Sequence, residues 1–110
     1  MRNLLQAAGA TWIRDDALWE SIESTKGTFN WGRLDSEFGN ASRAGLSGFL
    51  VIADYSPGWA GTPPANDADY ANFCAKLVER YGPGGTFWTA NSSLRPVELA
   101  VELWNENYMP

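Results

Sequence analysis

Three groups of polar side chains follow the three apolar segments that the sequence predicts to be strands. In chain order they are Arg14, Asp15 and Asp16; Asp54 and Tyr55; and Asn105, Glu106 and Asn107. Carboxyl groups supply the acid, base and nucleophile of glycoside hydrolysis. Aromatic side chains offer flat apolar faces for sugar rings, and Trp19 and Trp59 lie in the loops after the first two segments. The combination is typical of a carbohydrate site.

Glu106 follows a predicted strand from Val97 to about Trp104 and is the strongest candidate for a reacting group. Glycosidases usually place two carboxyl groups about 5–5.5 Å or about 6.5–9.5 Å apart. Glu102 falls on the same side of the strand as Glu106, but four strand residues separate them by roughly 13 Å. Glu102 therefore is not the partner. Considered by its local sequence alone, Glu106 also fits a solvated carboxylate at a strand end.

Composition excludes several other functions. The chain has 110 residues, 45% of them hydrophobic, and a net charge of -5, which indicates one globular unit. It contains no histidine and a lone Cys74, so we predict no metal and no cofactor, and Cys74 as a buried structural thiol. Without a Lys/Arg cluster or a long apolar run, neither nucleic acid nor a membrane is an expected partner. The oligomeric state is not indicated.

The elements that must position these side chains alternate along the chain. We predict helices over residues 1–8, 31–44 and 67–81, and strands over residues 10–14, 46–55 and 97–104. Asn30 and either Asn66 or Asp67 are expected to cap the second and third helices, and Gly45 to end the second. Residues 15–29 are predicted to be a loop with a turn at Lys26-Gly27, and residues 82–96 another loop.

Helix–strand alternation predicts an α/β fold with a parallel sheet and right-handed crossovers. Two architectures fit: an open doubly wound sheet, or part of a (β/α)8 TIM barrel. No strand is followed by the glycine-rich phosphate turn of a nucleotide-binding sheet. A complete barrel has about 250 residues. We therefore expect residues 1–110 to be a fragment of a single barrel domain.

Four blocks of sequence, in order, resemble clan A glycoside hydrolases, with family 39-like and family 5 cellulase-like enzymes as the nearest in appearance. ELWNEN resembles the strand-4 signature, usually Trp-Asn-Glu-Pro. GATWIRDDALWESIESTKGTFNWGRLD resembles the strand-2 region, and GLSGFLVIADYSPGWA resembles strand 3. YANFCAKLVERYGPGGTFW resembles the helix and loop before strand 4. Two positions depart from the pattern, because Asn107 and Ser24 stand where proline is usual.

The resemblance implies strands 2 to 4 of the barrel and a retaining two-carboxylate mechanism. Glu106 is then the general acid/base, and Asn105 binds the 2-hydroxyl of the sugar at the cleavage point. Arg14 matches an arginine that helps to position the nucleophile, which is expected on strand 7, past residue 110. The fragment alone is expected to be inactive. Secretion or a periplasmic location is an expectation of the family only.

Other interpretations of these side chains and of the whole chain stay open. Arg14 also fits a structural ion pair with Glu102 or Asp16. Trp59, in a Pro/Gly loop, is predicted to bind sugar, whereas Trp19 and Tyr55 fit either sugar contact or the core. Asp15 and Asp54 are predicted to be solvated or capping charges. The alternative functions are a non-catalytic carbohydrate-binding domain and a degenerate structural barrel. An all-β fold would indicate the binding domain, and the absence of a glutamate at the end of strand 7 would indicate the degenerate barrel.

Overall fold

A computed structural model describes residues 11–62 and 64–103 of the chain. In chain order the elements are β1 (Trp12–Leu18), α1 (Trp19–Ile22), α2 (Gly32–Arg43), β2 (Gly48–Asp54), α3 (Asp67–Tyr81), α4 (Thr86–Ala90) and β3 (Glu98–Leu103). The three strands form one parallel sheet in the order β1-β2-β3. The α/β class with a parallel sheet is therefore confirmed. The helix predicted over residues 1–8 lies outside the described residues.

The first strand is longer than the sequence predicts. β1 pairs with β2 along its full length, from Trp12 opposite Gly48 to Leu18 opposite Asp54. Asp15 and Asp16 therefore lie inside the strand, and the prediction that they follow it is wrong. Two adjacent acids disfavour a strand locally, but hydrogen bonding to a neighbouring strand outweighs that preference. The short helix α1, also missed, begins directly after the strand.

The helices α2 and α3 agree closely with their sequence signals. The side chain of Asn30 accepts the Gly32 N–H at 3.0 Å, and that of Asn66 accepts the Ala68 N–H at 2.9 Å. Gly45 follows α2 with a φ of 75°, a left-handed conformation that ends helices at glycine. By contrast, the five residues of α4 are too few for a helical period to be visible in the sequence.

A single hydrophobic core fills the space between the helices and one face of the sheet. Alternate strand residues point into it, with Phe49, Val51 and Ala53 fully buried on β2. The Phe38 ring of α2 lies between two others, 4.5 Å from Phe49 and 4.1 Å from Tyr81 of α3. The helices thereby cover one face of the sheet, and the intervening strand residues point to the other face.

Candidate functional site

The face of the sheet opposite the core, here called the open face, carries the residues that alternate with the core residues. They are Trp12, Arg14, Asp16, Leu18, Gly48, Leu50, Ile52, Asp54, Glu98, Ala100 and Glu102. The Trp12 ring lies against Gly48 so closely that a Cβ on this glycine would be 2.5 Å from the indole. Charged groups concentrate toward the carboxyl ends of the strands, the edge where parallel α/β sheets bind ligands.

An ion pair spans the open face from the first strand to the third. Arg14 Nη2 lies 3.2 Å from Glu102 Oε1, and the two side chains are 39% and 42% exposed. β2 lies between their strands, so the arginine reaches across it. Of the interpretations given above for Arg14, the pair with Glu102 is the contact that the structure contains.

The sequence places Asp54 at a strand end but does not predict its burial. Asp54 is 5% exposed, and its Oδ1 accepts no hydrogen bond in the described part of the chain. Burial, followed by the neighbouring Asp16 carboxyl, raises the pKa of Asp54 to about 7 against the opposing effect of Arg14. The prediction that Asp54 is solvated is wrong. The signal was its place at the end of a continuous apolar strand.

Tyr55 follows Asp54 in a left-handed conformation with a φ of 60°. A non-glycine residue rarely adopts this conformation, and such residues cluster at functional sites. The Tyr55 carbonyl accepts the Glu20 N–H at 2.7 Å, which holds this strand end against α1. The side chain is 55% exposed, so the predicted sugar contact through Tyr55 is sterically open.

The two tryptophans predicted to bind substrate occupy different environments. Trp19 is fully buried, stacks on Phe73 and donates its indole N–H to Glu23 Oε1 at 2.8 Å. No part of the ring faces solvent, so Trp19 is a core residue and not a sugar platform. Trp59 is half-buried; its indole N–H donates to the Glu23 carbonyl at 2.9 Å, and Lys26 Nζ lies 5.7 Å from its ring.

Other predicted site residues, Asn105 and Glu106 with the neighbouring Asn107, lie outside the described residues, so their roles stay predictions. Within residues 11–62 and 64–103, no group of three or more side chains is arranged to hold a metal ion. No helix in that part of the chain has the length and apolarity needed to cross a membrane. No family model, curated protein or solved structure matches the chain.

Proposed function

We propose that this chain is part of the (β/α)8 barrel of a retaining glycoside hydrolase that acts on a β-linked poly- or oligosaccharide. The supporting observation is the convergence of Arg14, Asp16, Asp54 and Glu102 on the open face, toward the carboxyl ends of parallel strands. Active sites of (β/α)8 barrels lie at this end of the strands. Sequential strand order with helices on one face also suits a barrel segment.

The proposed chemistry assigns one carboxyl group to this chain. Glu106 protonates the leaving glycosidic oxygen, and after the sugar has formed an ester with the nucleophile, Glu106 deprotonates the attacking water. Asn105 hydrogen-bonds the 2-hydroxyl. The nucleophile is expected on a seventh strand, past residue 110. Arg14, held by Glu102, positions groups in the site and does not transfer protons, because arginine stays charged.

The test is a Glu106→Ala variant in the full-length protein, assayed on two aryl glycosides of one sugar. A phenol that leaves poorly needs the acid, so we expect turnover to fall by about 10²–10⁴-fold. A dinitrophenolate leaves without protonation, so formation of the glycosyl ester is little affected and only hydrolysis of that ester slows. Added azide, which attacks the ester without a base, is expected to restore turnover and to yield a glycosyl azide.

The matched control is Glu98→Gln, at the amino end of the open face, which is expected to leave both rates unchanged. Unaltered hydrolysis by Glu106→Ala would refute the assignment. If hydrolysis by the variant is lost and azide does not restore it, Glu106 has a structural role. Sugar binding without any hydrolysis by the wild-type protein would favour the non-catalytic alternative, although the helical layer differs from the all-β sandwiches usual among binding modules.

A further inference from the structure

The side chain of Asp54 has a buried oxygen that accepts no hydrogen bond from the described residues. The residue is 5% exposed, and its enclosed Oδ1 receives no hydrogen bond from the described part of the chain. An unsatisfied buried acceptor costs about 1–3 kcal/mol, so native proteins contain few of them and each calls for an explanation. The side chain belongs to the open face, toward the end of the strand, and not to the core.

The side chain of Asp16 faces Asp54 from the neighbouring strand. Two carboxyl groups in hydrogen-bond contact repel each other when both are ionised, so they share one proton, and burial strengthens this effect. Arg14 of β1 also acts on Asp54, and the neighbouring elements carry Glu102 on β3 and Glu20 in the first turn of α1. Arg14 is engaged by Glu102 at 3.2 Å, and the Glu20 side chain is exposed. At a pH where the pair retains one proton, the two carboxyl groups together carry about one negative charge.

A neutral polyol fits this arrangement better than an ion does. A phosphate or carboxylate ligand would be repelled by the pair, and no triad of metal ligands occurs among the described residues. A carboxylic acid beside a carboxylate offers acceptor oxygens for two hydroxyl donors on adjacent carbons. The exposed ring of Tyr55, next in the chain, offers an apolar face for the C–H groups of the same sugar ring.

We propose that Asp16 and Asp54 form a subsite for a vicinal diol of a neutral pyranoside, with one proton shared between the two carboxyl groups. One sugar hydroxyl donates to Asp54 Oδ1 and its neighbour donates to the outer oxygen of Asp16. Because Oδ1 is enclosed, binding displaces the side chains that cover it. The inference rests on the proposed function, for which it names the part of the substrate recognised.

Carbon-13 NMR of the aspartate and glutamate side-chain carboxyl carbons in the full-length protein tests the subsite without any substitution. The free protein is expected to show Asp54 titrating near pH 7. Saturating xylobiose or cellobiose at about pH 6 is expected to shift the carboxyl signals of Asp16 and Asp54 but not that of Glu98. An Asp54 that titrates near its ordinary pKa of about 4, or signals that neither sugar moves, would overturn the proposal.

Two variants at one position separate the hydrogen bonds from the charge. Asp54→Ala removes the acceptor and is expected to weaken binding by about tenfold. Asp54→Asn keeps an acceptor and supplies an N–H in place of the shared proton. It is therefore expected to bind within about threefold of wild type at pH 6 and to keep that affinity at pH 8.5, where the wild-type affinity falls. Equal binding by wild type and Asp54→Ala would overturn the subsite.

Failure of this inference and failure of the proposed function give different results. If Glu106→Ala hydrolyses normally while sugar still moves the Asp54 signal, the catalytic assignment fails and the subsite stands. If Glu106→Ala behaves as expected but neither sugar affects Asp16 or Asp54, the subsite alone fails.

Discussion

Three buried or partly buried carboxyl groups of this protein behave differently, because burial and hydrogen-bond donors differ at each. Glu23 is almost fully buried, yet both of its oxygens accept hydrogen bonds. Asp54 and Glu37 each have one buried carboxyl oxygen that accepts no hydrogen bond from a described residue, and the pKa of each is raised. The sequence lists all three as acids and does not reveal which of them obtain donors.

Glu37 offers a prediction about pH at the residue scale. Burial, helped by the nearby Asp15 carboxyl, raises its pKa to about 6. Arg33 lies 3.3 Å away and lowers the pKa, but its guanidinium is half exposed and does not cancel the other two effects. The folded protein thus binds this proton more tightly than the unfolded chain does. Stability from this group is complete below about pH 4.5 and is lost as the pH rises through about 6.

The substitution Glu37→Gln removes this dependence of stability on pH. We expect the variant to be more stable than wild type at about pH 8, by of the order of 1 kcal/mol, or about 4–8 °C in Tm, and the difference to narrow toward pH 4. Thermal melts followed by circular dichroism at several pH values measure it. Glu79→Gln, an exposed glutamate of α3, is the control and should change little at any pH. A Glu37→Gln variant less stable than wild type at pH 8 would show that the Arg33 contact dominates.

At the scale of elements, one side chain fastens the α1 region together. Glu23 Oε1 accepts the indole N–H of Trp19 at 2.8 Å, and its Oε2 accepts the Gly27 N–H at 2.7 Å. Its backbone carbonyl accepts the indole N–H of Trp59 at 2.9 Å. α1 has only four residues, too few for a stable helix of its own. These tertiary hydrogen bonds, and not helix propensity, therefore determine its position.

Removing the Glu23 carboxylate is expected to cost about 2–4 kcal/mol of unfolding free energy, because it leaves the buried Trp19 indole N–H without an acceptor and removes the hydrogen bond to the more exposed Gly27 N–H. Denaturant unfolding of Glu23→Ala measures the loss, and tryptophan emission is expected to shift as Trp19 becomes solvated. Glu20→Ala, an exposed position in the same helix, is the matched control. A loss at Glu23 as small as that at Glu20 would contradict this account.

Predictability also differs between elements. α2 and α3 are long enough for apolar residues to repeat at helical spacing, and Asn66 caps α3 as the sequence indicates. Asn30 accepts the first helical N–H of α2 but lies one residue before the N-cap, Trp31. The second half of β1 carries adjacent acids, so its sequence indicates a loop. It is a strand because β2 supplies hydrogen-bond partners up to Leu18. Such non-local pairing leaves no periodic signal in a single sequence.

At the scale of the whole molecule, the described helices cover only one face of the sheet. On the open face, Leu50 and Ala100 are partly exposed between the charged residues, whereas Ile52 is 7% exposed. In the described residues, β1 and β3 also have no partner on their outer edges. Exposed strand edges and apolar faces promote association between chains.

We therefore expect residues 1–110, expressed alone, to self-associate as concentration rises and to bind a hydrophobic dye. Sedimentation and dye fluorescence measure this. Leu50→Lys, on the open face, is expected to reduce association with the helices retained, whereas Val51→Lys, in the core, is expected to unfold the protein. A monomeric wild-type chain with a sharp cooperative melt would contradict the prediction.

The sequence by itself determined the α/β class, the parallel order of elements and the bounds of the two long helices. These features follow from local periodicity and capping, which neighbouring residues set. It also placed Tyr55 directly after the carboxyl end of a strand, whereas Arg14, predicted to follow its strand, is the third residue of β1. The glycosidase resemblance and the role of Glu106 come from sequence alone and stay a proposal.

Only the tertiary structure decided the environment of each side chain. It placed Trp19 in the core, joined Arg14 to Glu102 across an intervening strand, and brought Asp54 against Asp16. The physical reason is that burial, donor supply and charge proximity depend on residues far apart in the chain. Residue type and spacing specify which chemistry a side chain can perform, and packing decides its protonation and its partners.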